Sequence, residues 1–130
     1  RFEQIPKVNM KLMLREVKIL QSQNEDDWVK VAMGNTLDSS VTLDKLEERA
    51  DEGDPLTTGA AIVLLLTGRN CFASSSGYPV EGESYTGHAC RYYRFSVARD
   101  VPGYLFRSSR LCATELGHSV GLLHDGESGS

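Results

Sequence analysis

Apolar residues at Val8, Met10, Leu12 and Leu14 fall on every second position, the spacing of a strand with one face buried. Val17 and Ile19 continue that alternation one step out of phase, as a bulge near Arg15 and Glu16 would produce. Gln21 to Asp27 is a polar turn. Trp28 to Met33 predicts a second short strand, with Val29, Val31 and Met33 on one face. Gly34 to Ser40 reads as a loop. Thr42 is the expected cap of a helix running to Glu52, with Asp44 in its first turn and Gly53 beyond its end. Leu43, Leu46 and Ala50 form its apolar stripe, and the charged residues opposite make a solvated face.

Gly53 to Gly59 is a turn, and Pro55 stops the helix from continuing. Ala60 to Leu66 is apolar without alternation, which predicts a central strand covered on both faces. That run is far shorter than the ~20 apolar residues a membrane helix needs, so no membrane segment is expected. Ala73 to Gly87, rich in Ser and Gly, reads as a loop leading into an edge-like strand. Tyr92 to Ala98 predicts a further strand, ended by Asp100, Pro102 and Gly103. Ser108 to Gly121 suits a helix, although Gly117 costs roughly 1 kcal/mol against alanine there. Strands and helices alternate, so the expected class is α/β, in one domain.

Composition narrows the function. The 130 residues are 40% hydrophobic and 25% charged, ordinary for a globular domain and unlike a disordered or collagen-like chain. Net charge is -4, with 12 acids and 8 bases in residues 1–55 and 6 of each in residues 56–130. A nucleic-acid protein needs a basic stripe, and no nucleic-acid partner is expected. Arg91, Tyr92, Tyr93, Arg94 and Phe95 interleave basic and aromatic residues, but they suit a strand. Cys71, Cys90 and Cys112 are odd in number and lack Cys-x-x-Cys spacing, which argues against a structural zinc ribbon. Cys71 and Cys112 suit small buried positions as well as they suit a bond, and their pairing stays open.

The chemistry concentrates in Thr114-Glu115-Leu116-Gly117-His118-Ser119-Val120-Gly121-Leu122-Leu123-His124-Asp125. A catalytic zinc takes three protein ligands and leaves a position for water. It lowers that water's pKa to about 7, and a nearby carboxylate takes the proton as the oxygen attacks a carbonyl. Helical residues four apart differ by about 40° of rotation and can grip one ion. His118 is one such residue, and its partner four places earlier is Thr114. Glu115 lies three places before His118 on the same face. On a continuing helix His124 would point about 240° away from His118. Gly121 permits the left-handed turn that brings it back.

This segment resembles the zinc-binding signature of the metzincins, His-Glu-x-x-His-x-x-Gly-x-x-His, and Asp125 points to their adamalysin/reprolysin branch. Val8-Asn9-Met10-Lys11-Leu12, Thr42-Leu43, Leu65-Leu66-Thr67-Gly68-Arg69-Asn70 and the stretch from Gly82 to Cys90 resemble further stretches of that branch. Asp100-Val101-Pro102-Gly103-Tyr104 is similar to the approach to the zinc helix in tick salivary metalloproteases. The resemblance spans almost the whole chain. It implies a metzincin-type catalytic domain: a twisted mixed sheet with packed helices and a zinc-binding helix near the end of the chain. It further implies a secreted zinc endopeptidase in which His118 and His124 bind zinc and Glu115 is the general base. Gly121 would be the turn residue, and Asp125 would anchor the segment behind the site. The strand around Val80, Glu81 and Gly82 would pair with an extended peptide substrate, a β-augmentation. Cys90 would bond a cysteine beyond Ser130. The first strand and helix of the family's domain, and the part after the third histidine, are expected to lie outside residues 1–130.

Thr114 departs from the signature, standing where the first histidine ligand belongs. A neutral hydroxyl is a poor zinc ligand. Replacements are scarce: Cys112 lies about 120° off the face of His118, and His88 belongs to the edge-strand segment. Two function classes follow. One is a zinc-dependent metalloendopeptidase acting through metal-activated water. The other is a catalytically impaired relative, a pseudoprotease that keeps the cleft and binds proteins without cutting them.

Overall fold

The fold is organised around one short strand, Phe95–Arg99, in a computed structural model that describes residues 9–21 and 28–126. In chain order the elements are β1 (Thr36–Asp38), α1 (Ser39–Asp51), α2 (Pro55–Thr58), β2 (Val63–Thr67), β3 (Asn70–Ala73), β4 (Tyr78–Val80), β5 (Gly82–Ser84), β6 (Phe95–Arg99) and α3 (Leu105–Ser119). They build two small mixed sheets, ordered β1-β3-β4 and β2-β6-β5. Each combines a parallel and an antiparallel pair: β1 and β2 run parallel to β3 and β6, while β4 and β5 run antiparallel to them. The class is therefore mixed α/β.

Strand β6 is buried on both faces because its alternate residues serve different helices. Phe95 and Val97 join Leu43 and Leu46 of α1 in the main core, together with Trp28, Val29, Leu37 and Cys71. Ser96 faces α3, where its hydroxyl meets that of Ser119. Burying one such apolar side chain contributes roughly 1.5–3 kcal/mol. At the end of α1, the Arg49 guanidinium lies 4.0 Å over the Trp28 ring and the Lys18 ammonium lies 4.8 Å from it.

Several elements differ from expectation. Residues 9–21 form no strand: Met10, Leu12, Leu14, Val17 and Ile19 are exposed, and only Leu20 packs against the core. Alternation marks a face that can be buried, but among the described residues no strand pairs with this segment. Val8 and most of the expected turn at Gln21 to Asp27 lie outside the described residues. Trp28 to Met33 contributes an isolated bridge, Val31 to Leu37, because its partner is the three-residue β1 within the expected loop.

Helix α1 starts at Ser39, three residues before Thr42, because Asp38 caps it: its carboxylate accepts from the Val41 backbone N–H at 3.2 Å. The Thr42 hydroxyl instead donates back to the Asp38 carbonyl at 2.6 Å. The apolar run begins as a strand at Val63 and lies at the edge of its sheet. Val63 and Leu65 pack on the core, but α3 lies over β6 and β5, and Leu66 stays 55% exposed. The Ser/Gly-rich stretch contains a hairpin, with β4 returning along β3 through Ala73↔Tyr78. β6 starts at Phe95, not Tyr92, and α3 spans 105–119 instead of 108–121. No helix among the described residues is long and apolar enough to cross a membrane.

Candidate active site

Ser108, Glu115 and Ser119 are the buried residues of α3 and lie on one stripe of the helix. Of these, Ser119 meets β6 directly. The Ser96 and Ser119 hydroxyls are 2.8 Å apart, and the Ser119 hydroxyl donates to the Glu115 carbonyl at 3.0 Å. At the other end, the Ser108 hydroxyl accepts from the Val101 N–H at 2.8 Å and fixes the entry turn.

The helix stops in a left-handed turn at Gly121, whose φ is +98°. The Gly121 N–H donates to the His118 carbonyl and the Leu122 N–H to the Gly117 carbonyl, each at 2.9 Å, the paired bonds of a Schellman stop. The loop after β5 seals the same end, with the Gly87 N–H on the His118 carbonyl at 2.8 Å and the Ala89 N–H on the Ser119 carbonyl at 2.9 Å.

This turn brings two imidazoles together. The His118 and His124 ring centroids are 4.5 Å apart at 71°. His118 Nδ1 lies 2.7 Å from the Leu122 carbonyl. A carbonyl only accepts, so Nδ1 is the donor, and Nε2 is the ring nitrogen that in the neutral imidazole carries the lone pair. Fixing one ring nitrogen on a carbonyl in this way orients the other toward a metal.

Glu115 projects under the helix onto β5. The Ser84 hydroxyl donates to its carboxylate at 2.6 Å. Its carboxyl rests on Gly82, where a β-carbon would fall 2.7 Å from the carboxyl carbon. Burial raises the carboxyl pKa, while the Ser84 hydrogen bond and the nearby His118 and His124 act in the opposite direction. The Thr114 hydroxyl donates to the Arg110 carbonyl one turn back at 2.9 Å.

The donor chemistry fits zinc at two corners, both imidazole. A third protein ligand is not supplied: no group of three His, Cys, Asp or Glu side chains that could hold a metal occurs among the described residues.

The three residues expected to line the substrate strand do not share one element. Val80 ends β4 and pairs with Cys71, whereas Gly82 starts β5 and pairs with Ala98. Glu81, between them, pairs with Arg107 of α3, and Arg99 of β6 lies 3.7 Å from it. β5 is the last strand of its sheet. Asp125 is exposed in the turn after His124. Cys90 is exposed, with a left-handed φ of 62°, and its N–H donates to the Ala61 carbonyl at 2.8 Å. The three cysteines are not bonded to one another. His88 sits among Tyr85 and Tyr93, with Nδ1 2.8 Å from the Thr86 carbonyl. A cleft of about 670 Å³ opens beside the first sheet, lined in part by Met33, Phe72 and Val80, with Glu81 and, from β6, Arg99 at its border.

Ser84 escaped the sequence reading. Its two-residue spacing from Gly82 put both on one face of a strand, but which helix that face meets depends on the pairing of β5 with β6. Comparison with family models and with curated proteins finds no match to this chain.

Proposed function

We propose that this chain is a metzincin-type catalytic domain of the adamalysin/reprolysin branch: a secreted, zinc-dependent metalloendopeptidase that hydrolyses peptide bonds in extended protein substrates. One observation carries the reading. His118 and His124 converge at the stop of the helix that holds Glu115, with His118 Nε2 left available by the Leu122 carbonyl. His118 and His124 would hold the metal, which when bound polarises the scissile carbonyl and acidifies water. Glu115 would take the attacking water's proton and return it to the leaving amine. The open edge of β5 would pair with the peptide backbone.

The departure of Thr114 from the signature, its hydroxyl turned to the Arg110 carbonyl, favours a second reading, a pseudoprotease that binds proteins along the same strand edge without cutting them. Zinc content by elemental analysis, on this chain and on Thr114→His, separates the two. The protease reading expects about one zinc per chain in both, peptide cleavage abolished by a chelator, and a Glu115→Ala variant that keeps zinc but loses turnover. Zinc in Thr114→His alone assigns this chain to the pseudoproteases. Cleavage that survives in Glu115→Ala removes Glu115 as the base.

A further inference from the structure

We propose that Ser84 is the positioning residue for Glu115, so that strand β5, as much as helix α3, determines where the proton acceptor stands. The assignment rests on the reading of Glu115 as the base. Three observations converge on it. The Ser84 hydroxyl donates to the Glu115 carboxylate at 2.6 Å. Gly82, two residues away and therefore on the same face of β5, supplies the bare backbone on which that carboxylate rests. Both partners are referenced to one strand. β5 is registered on β6 through Gly82↔Ala98 and Ser84↔Ser96, and α3 is tied to β6 through the Ser96 and Ser119 hydroxyls.

A glutamate on a helix otherwise has several rotamers to choose from, and selecting one has an entropic cost. Here the hydroxyl directs one carboxylate oxygen while the glycine limits how far the group can swing. The contact also links two functions of β5. A peptide pairing along its open edge would lie on the strand that holds the base.

The test uses the full chain with ¹³C-carboxyl-labelled glutamate, at one pH. The Glu115 carboxyl resonance, identified by its loss in Glu115→Gln, should move in Ser84→Ala and return in Ser84→Thr, which restores the hydroxyl. An unmoved resonance in a folded Ser84→Ala chain overturns the proposal. So does a resonance that moves equally in both variants, because packing alone would then explain it. Peptide hydrolysis by zinc-loaded Thr114→His gives a second readout. Adding Ser84→Ala should lower kcat about tenfold with KM unchanged, as expected for a misplaced base. A change confined to KM overturns positioning. If Thr114→His cleaves no peptide, the protease reading fails, and the carboxyl resonance still decides the role of Ser84.

Discussion

The Cys71 thiol sits in β3 between Leu37 of β1 and Val80 of β4, and burial pushes its pKa from 9.0 up to about 11. The folded state therefore favours the neutral thiol over the thiolate. The contribution to stability is complete below pH 9 and is lost as the pH rises toward 11, where the folded chain must also ionise. Melting temperatures across this range should fall more steeply for the native chain than for Cys71→Ala, and parallel curves would contradict this. The same burial predicts an ordering of reactivity. At pH 8, a thiol reagent should modify exposed Cys90 readily and Cys71 only after denaturation.

At the scale of elements, the stop of α3 carries more consequence than its length suggests. Gly121 holds a φ of +98°, and a β-carbon there would meet the Gly87 Cα at an ordinary 3.9 Å. The cost of a side chain is thus conformational, not steric. Gly121→Ala should lose about 1–2 kcal/mol in urea denaturation. Gly121→Asn should lose less, since asparagine tolerates the left-handed region. If the chain binds zinc as proposed, affinity should follow the same order, because the turn delivers His124 to His118; equal affinity in all three would separate the turn from the site.

Elements were legible where one local signal dominated. Leu43 and Leu46 are buried on α1 as their spacing required, and Gly121 makes the turn that the distance from His118 to His124 required. The start of α1 was not legible. Asp38, Ser39, Ser40 and Thr42 are all plausible caps, and the choice is reinforced by Glu83, 43 and 44 residues away from Ser40 and Ser39, whose carboxylate accepts from both hydroxyls. Ser84 was hidden for the same reason: its meaning depends on a strand register that local periodicity does not encode.

For the molecule as a whole, β6 is the common support: α1 packs on one face, α3 on the other, and β2 and β5 lie on its two sides. Phe95 is 1% exposed and belongs to the core shared with α1. Phe95→Ala should cost about 3–5 kcal/mol in urea denaturation. Because the histidine-bearing helix shares that support, the zinc uptake proposed for it should weaken along with stability. Full zinc affinity in a chain so destabilised would show that α3 is held by something other than β6.

Trp28 is the chain's single tryptophan, 3% exposed and capped by the positive charges of Arg49 and Lys18. The fold thus carries its own optical reporter. Its native emission should be blue-shifted and shielded from a neutral quencher. Losing the packing between α1 and the sheet would expose the indole and release both cations at once, so one fluorescence band follows the integrity of the core without an added label.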